Sequence, residues 1–219
     1  MSAAPAAPMA SLRPRLRGVS HKWAFFLSLP AGAWLTLAAG DGRARLGVAV
    51  YAASLAALFG TSALYHRIDW RSLAARRRMR RLDHSMIFVL IAGSYTPFAL
   101  LVLHGDLALA ILIVAWAGAL AGVALQLAWA SAPTWLAALI YVALGWVALA
   151  TLPQLVASLG LGATALLAAG GALYTAGAVI YALRRPDPAP TVFGYHEIFH
   201  ALVIAGAAIQ FTVVAIFVL

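Results

Sequence analysis

Apolar residues run through this chain in seven stretches, covering 22–40, 45–66, 82–103, 107–129, 133–153, 160–183 and 197–218, with polar or Gly/Pro breaks between them. A helix needs about 20 mostly apolar residues to cross a bilayer, and each stretch approaches or reaches that length. The expected fold is therefore all-α: a polytopic integral membrane protein built as a seven-transmembrane helix bundle. Residues 1–20 are small, Pro-bearing and basic, and read as a flexible cytoplasmic tail. That leaves 21–219 as one transmembrane domain. The tail followed by Trp23–Leu37 and Ala38-Ala39-Gly40 imitates a secretory signal, but its apolar run exceeds the usual 7–15 residues. Six further spans follow it.

Composition agrees with the pattern. Hydrophobic residues make up 64% and charged residues 10%, which excludes a domain whose surface must meet water. Cysteine is absent, so a metal here must sit on nitrogen and oxygen ligands.

Charge fixes an expected orientation. The basic residues fall as four in the tail and first helix (Arg13, Arg15, Arg17, Lys22), two in the first loop (Arg43, Arg45), seven across 67–81, and two at Arg184 and Arg185. With the N-terminus inside, thirteen of the fifteen lie on the inner side, so the N-terminus is expected in the cytoplasm and the C-terminus outside. The Arg-rich loop 67–81 has two readings: a topological anchor, or a contact for anionic lipid head groups. Nucleic-acid binding is not expected, because the basic residues are confined to inner loops and no nucleic-acid module accompanies them.

The same topology gathers chemistry. His66 ends the second span, Asp83 begins the third, and His196 and His200 begin the seventh, so all four lie at one depth of the membrane. His196 and His200 stand at i and i+4, one helical face, which is metal-ligand spacing. Polar side chains inside a membrane cost several kcal/mol by order of magnitude, which makes the pair hard to treat as incidental. Ser62 and His66 repeat the spacing. Three histidines would leave a fourth metal position open, the pattern of catalytic zinc.

Asp83 suits a hydrogen bond to a metal-bound water, or else pairs with Arg80 or Arg81. Ser62 either orients His66 or that water, or bonds its own helix. His84, about 100° around the helix from Asp83, reads as a supporting or packing residue, and His21 and His104 as membrane-boundary residues. His196-Glu-Ile-Phe-His200 also satisfies H-E-x-x-H, in which Glu197 would be the general base of a metalloprotease; that reading leaves Ser62 and His66 unexplained. Pro97 within Gly93-Ser-Tyr-Thr-Pro97 should bend the third helix, with Ser94 and Thr96 re-satisfying the freed carbonyl. Gly118 and Gly122 suggest close helix packing.

Ser62-Ala-Leu-Tyr-His66, Leu82-Asp83-His84-Ser85, Gly93-Ser-Tyr-Thr-Pro97 and His196-Glu-Ile-Phe-His200 together resemble the motifs of the hemolysin III family. That family is the bacterial branch of the progestin and adipoQ receptors, grouped with alkaline ceramidases. The resemblance runs from about the second helix to the C-terminus. It implies seven helices in the bacterial inner membrane, a zinc held by His66, His196 and His200 on the inner side, and Asp83 holding the zinc-bound water. The region before the first helix, LRGVSHKWAFF, lacks the acidic and asparagine residues that members often carry there.

Three functions are then expected to compete. The first is a membrane-embedded zinc hydrolase of a lipid amide or ester, with Asp83 and Ser62 as its catalytic polar groups and membrane lipids as its partners. The second is a non-catalytic protein of membrane-lipid homeostasis, or a receptor-like one, with a structural zinc. The third is a hemolysin-type cytolytic protein, for which the spans show no pore signature.

Overall fold

The computed structural model describes residues 14–129 and 133–219, and these are helical throughout their membrane-length stretches. The expected tail lies mostly outside the described residues. In chain order the helices are α1 (Val19–Ala38), α2 (Arg43–Arg67), α3 (Leu73–Leu101), α4 (Gly105–Ala128), α5 (Thr134–Gly145), α6 (Leu152–Leu183) and α7 (Tyr195–Val213). A 3-10 segment, Trp146–Thr151, joins α5 to α6, and a π turn, Val214–Val218, ends α7. Among the described residues there is no strand, only an isolated bridge between Ala189 and Phe193. Five helical stretches are long and apolar enough to cross a membrane, one of them running from Trp135 to Leu183. The protein is a multi-pass membrane protein.

Helix α2 packs against α1 and α3, α3 against α4, and α6 against α5 and α7. Tyr51, Phe88, Leu35, Val48 and Val213 are buried at the centre. Leu27, Leu37, Leu109, Leu120 and Leu161 are exposed, as side chains are when lipid is the solvent.

Two elements differ from the hydropathy reading. The Arg-rich stretch expected as a loop is helical from Leu73. Ser72 caps that helix by accepting a hydrogen bond from Ala75 N at 3.1 Å, and Ala, Leu, Met and Arg are strong helix formers. Charge there marks the end of the apolar run, not the end of the helix. The expected fifth span stops being α-helical at Gly145, and the continuous helix assigned after it is broken at Gly160, whose φ of 81° and ψ of 167° are non-helical. At that positive φ a side chain would be strained.

The motif Gly93-Ser-Tyr-Thr-Pro97 sets how α3 meets its neighbours. A Cβ added at Gly93 would lie 2.2 Å from Ser54 Oγ and 2.6 Å from Ser54 Cβ, so glycine sets the approach of α2 to α3. Tyr95 staples the break after α5: its hydroxyl accepts from Ala148 N at 2.8 Å and donates to the carbonyls of Leu144 and Gly145. Thr96 receives the indole N–H of Trp116 at 3.2 Å. Ser94 and Thr96 bond the carbonyls of Ile91 and Ala92, not that of Gly93, which the ring of Pro97 leaves without its helical donor. Gly93→Ala should lower stability by about 1–3 kcal/mol, the usual cost of overpacking. Thermal unfolding in detergent reads it.

Candidate metal centre

Each element delivers its polar side chain to one end of the bundle for a local reason. The first turn of α7 is fixed by two carboxylates. Glu197 Oε2 accepts from Gly194 N at 2.8 Å, and Asp187 Oδ1 accepts from Tyr195 N at 3.0 Å. These satisfy amides that a helix start leaves without intrahelical partners. His196 and His200 follow on the inward face. His66 comes from the last turn of α2, with Ser62 one turn earlier, and Asp83 from α3. All five are buried.

His66, His196 and His200 each offer a nitrogen, and these three atoms lie within 4.8 Å of one another. Ring centroids are 4.8 Å apart for His66 and His196, 5.2 Å for His66 and His200, and 4.6 Å for His196 and His200. The group can hold a metal ion. Two nitrogens bound to one zinc at about 2.0–2.1 Å each are separated by at most about 4 Å, so small ring movements would close the set. Nδ1 of His200 is buried without a hydrogen-bond partner, which fits a group awaiting a ligand. A set of imidazoles beside one carboxylate suits a borderline divalent ion.

Asp83 Oδ2 lies 3.8 Å from His66 Nε2, beyond direct hydrogen bonding and at a separation where a bridging water is the natural question. The Ser62 hydroxyl lies near the Asp83 carboxylate and 2.8 Å from His21 Nδ1. A hydroxyl can donate to one neighbour and accept from another, and its role toward His21 follows the imidazole tautomer. Ser62 thus sits between His21 and Asp83, neither of them the partner weighed for it from sequence.

His21 is the residue that sequence reasoning missed. It is buried, its ring stacks on His200 at 3.7 Å with 10° between planes, and Phe59 packs edge-on against it. The signal was available: α1 starts at the same end of the bundle as His66 and His196, so the depth argument applied to it equally. Gly18, at φ 74°, packs against His66; a Cβ there would lie 2.4 Å from His66 Cβ. His84 stays outside the triad, with its carbonyl accepting from Tyr141 and its Nε2 3.4 Å from the Tyr181 hydroxyl. His104 is at the other end, its amide donating to Gln154 at 2.8 Å.

Glu197 is committed elsewhere. One carboxylate oxygen caps α7, and the other pairs with Arg17 Nε. Around that pair the segment before α1 crosses to the loop before α7, with Arg15 N and Leu16 N donating to the carbonyls of Thr191 and Val192 at 3.0 and 3.1 Å.

A cavity of about 1130 Å³ opens from the triad. His66, Asp83 and His196 line it at one end, and Leu103, Thr151 and Leu155 at the other.

The family model for haemolysin-III related proteins matches residues 9–211. The chain belongs to the haemolysin III family. It is 31% identical over 196 residues to a hemolysin-3 homolog of Bacillus subtilis (strain 168), covering 88% of each chain. It is also 31% identical over 204 residues to a hemolysin-3 of Bacillus cereus, covering 92% of this chain and 90% of that one. Membership of the haemolysin III family, which the motifs around Ser62, Asp83, Pro97 and His200 suggested, thus extends over nearly the whole chain.

Proposed function

We propose that this haemolysin III protein is a zinc-dependent hydrolase of a lipid amide or ester, working inside a bacterial cell membrane. The observation that carries the reading is the placement of three buried histidines, a carboxylate and a hydroxyl at one end of a long, mainly apolar cavity. A structural site needs the histidines but neither Asp83 nor the cavity.

The topology proposed with it has seven passes, the stretch 134–183 supplying two of them on either side of Gly160. The N-terminus, the Arg-rich turns of α3 and the histidines then face the cytoplasm, and residues 21–219 form a single membrane domain after a basic tail.

In the proposed reaction the histidines hold the ion, and zinc when bound polarises a carbonyl and lowers the pKa of water to about 7. Asp83 accepts a hydrogen bond from the attacking water, takes up its proton at Oδ2 as the water oxygen bonds to the acyl carbon, and returns that proton to the amine or alkoxide that departs as the acyl C–N or C–O bond breaks. Ser62, donating to Asp83, fixes which way the carboxylate faces. His21 holds Ser62 in that role and, through its ring, holds His200. The walls of the cavity keep bulk water from the acyl chain, which enters from the lipid. Hydrolysis of lipid amides and esters in mixed micelles, by wild type and Asp83→Asn with zinc measured in both, tests the proposal.

Glu197 decides against the protease reading, since both of its oxygens are engaged away from the triad. Glu197→Gln should keep metal content and retain at least about half of wild-type turnover, while losing about 1 kcal/mol of stability through the weakened helix cap. A loss of turnover of 100-fold or more, with zinc retained, would favour the H-E-x-x-H assignment instead. The relatives' name denotes cytolysis, but the described helices present leucines and tryptophans outward.

A further inference from the structure

Tyr181 stands two residues before the end of α6, at the same end of the bundle as the first turn of α7. Its ring is held on three sides. Phe199 packs against it with centroids 5.1 Å apart, and the rings of His196 and His84 meet it nearly at right angles, at 5.5 and 6.3 Å. Tyr181 lines the cavity, as do His84 and Asp83 from α3, and Asp83 lies near its hydroxyl.

That hydroxyl is held loosely. It meets His84 Nε2 at 3.4 Å, long for a hydrogen bond. Other tyrosines of the cavity are fully engaged: Tyr95 both donates and accepts at the break after α5, and Tyr141 donates to the His84 carbonyl at 3.1 Å while accepting from Gln126 at 3.3 Å. The bond from Tyr141 also fixes His84 from the α5 side. Phenylalanine would fill the same aromatic pocket as Tyr181, so packing does not call for the hydroxyl. In the proposed reaction the acyl oxygen gains negative charge as water adds, and a donor aimed at that oxygen in a site closed to bulk water is worth more than in water. Asp83 and Ser62 serve the water from α2 and α3, which leaves the wall formed by α6.

We infer that Tyr181 is that donor, its phenol O–H hydrogen-bonding the acyl oxygen of the bound lipid, and that His84 positions it. With the neutral imidazole protonated at Nε2, His84 donates to the phenol oxygen and leaves the phenol hydrogen to the cavity. The phenol keeps its proton throughout. Its hydrogen bond strengthens as C=O becomes C–O⁻, and relaxes when the carbonyl re-forms and the C–N or C–O bond breaks. The inference rests on the proposed hydrolase reading and adds two residues to it.

The test uses the full chain, zinc-loaded, in neutral detergent. Tyr181→Phe should lower kcat by about 100-fold, the loss expected for one oxyanion donor, with KM within about three-fold and zinc content unchanged. Tyr174→Phe, about two turns deeper on α6, should change none of these. His84→Leu should lower kcat by about 10-fold, as for a supporting hydrogen bond, and His84→Gln, whose amide can still donate to the phenol, should recover most of it. A second arm reads binding without turnover. Its probes are an alkylphosphonate monoester, whose tetrahedral anion copies the charged acyl centre, and a methyl ketone of equal chain length, which copies the planar one. Tyr181→Phe should weaken the phosphonate by about ten-fold or more, as loss of one charge-assisted hydrogen bond implies, and should spare the ketone. A kcat within a few-fold of wild type in Tyr181→Phe overturns the inference, as does a rise in KM with kcat unchanged, which marks ordinary substrate binding. So does equal weakening of both probes, or zinc lost together with turnover, which would make the ring a support for His196. The two proposals fail separately. Wild type that turns over no lipid amide or ester removes the hydrolase reading, whereas turnover and phosphonate binding indifferent to Tyr181→Phe remove only this one.

Discussion

Detergent-purified protein should carry about one zinc per chain, and His196→Ala/His200→Ala should carry less than about a tenth of that, since three protein ligands make up a site of this kind. Elemental analysis of the two preparations side by side measures it. The expected loss is large because the variant keeps only His66, and even changes to groups that merely support ligands typically cost 10–100-fold in affinity, as an order of magnitude. His200 is also a packing residue, buried at 2% exposure and stacked on His21, so alanine there leaves a void as well as removing a nitrogen. His196→Gln/His200→Gln separates the two effects by restoring volume without restoring the imidazoles, and it should lose zinc equally. Thermal shift gives an independent reading. Zinc at about 1,000 times its dissociation constant stabilises a folded binder by about 4 kcal/mol, and that gain should vanish in both variants. No metal in wild type prepared without chelators would sink the zinc assignment.

The histidines were legible in the sequence because two separate signals coincided on them. The i, i+4 spacing put His196 and His200 on one face, and the order of apolar spans put His66 and Asp83 at their depth. Depth alone would also have included His21, but a histidine at the edge of an apolar run looks the same whether it faces lipid head groups or a neighbouring helix; only packing distinguishes them. The pairing of Arg17 with Glu197 had no local signal, since it joins positions 180 apart through a segment that is neither apolar nor periodic. Hydropathy was also blind to the path between 133 and 183. Residues there carry no charge, so the 3-10 segment inside the expected fifth span leaves no mark on the pattern, and the interruption between 153 and 160 reads as a loop between spans. Only Gly145, Pro153 and Gly160 hint at them, and glycine is common in membrane helices. The reach of α3 beyond its apolar run was hidden for the opposite reason. Its charges end the apolar pattern, and the helix begins ahead of it at Leu73.

Read together, these features divide the polar residues into layers around the histidines. His21 and Ser62 flank His200 and Asp83 from the α1 and α2 side, while Glu197 and Asp187 hold the start of α7 from the loop side. The triad is thus positioned by groups that do not themselves reach the cavity's apolar end. That separation makes single substitutions informative. On the proposed mechanism, a change at Glu197 perturbs the helix start, a change at Ser62 perturbs the orientation of one carboxylate, and a change at Asp83 perturbs the chemistry itself.

Asp83→Asn should therefore retain zinc at the wild-type level and lose turnover by about 100- to 10,000-fold, the range over which a positioned acid or base contributes. Asparagine keeps the size and planarity of the side chain, and its carbonyl oxygen can still accept from a neighbouring donor such as Ser62. What it loses is the capacity to take a proton and the negative charge 3.8 Å from His66 Nε2. Zinc content and turnover measured on the same preparation separate the possible roles. If Asp83 instead served only as a packing partner of Ser62, the variant would keep turnover within a few-fold of wild type. If Asp83 were itself a metal ligand, zinc and turnover would fall together, and added zinc would restore part of the activity. Ser62→Ala gives the accompanying check: it removes the proposed donor to Asp83 but not the proton acceptor. Its effect should be smaller, about 10-fold, as for the loss of a supporting hydrogen bond, with zinc unchanged. An order reversed, with Ser62→Ala the more damaging of the two, would place the hydroxyl at the reacting atoms and Asp83 behind it.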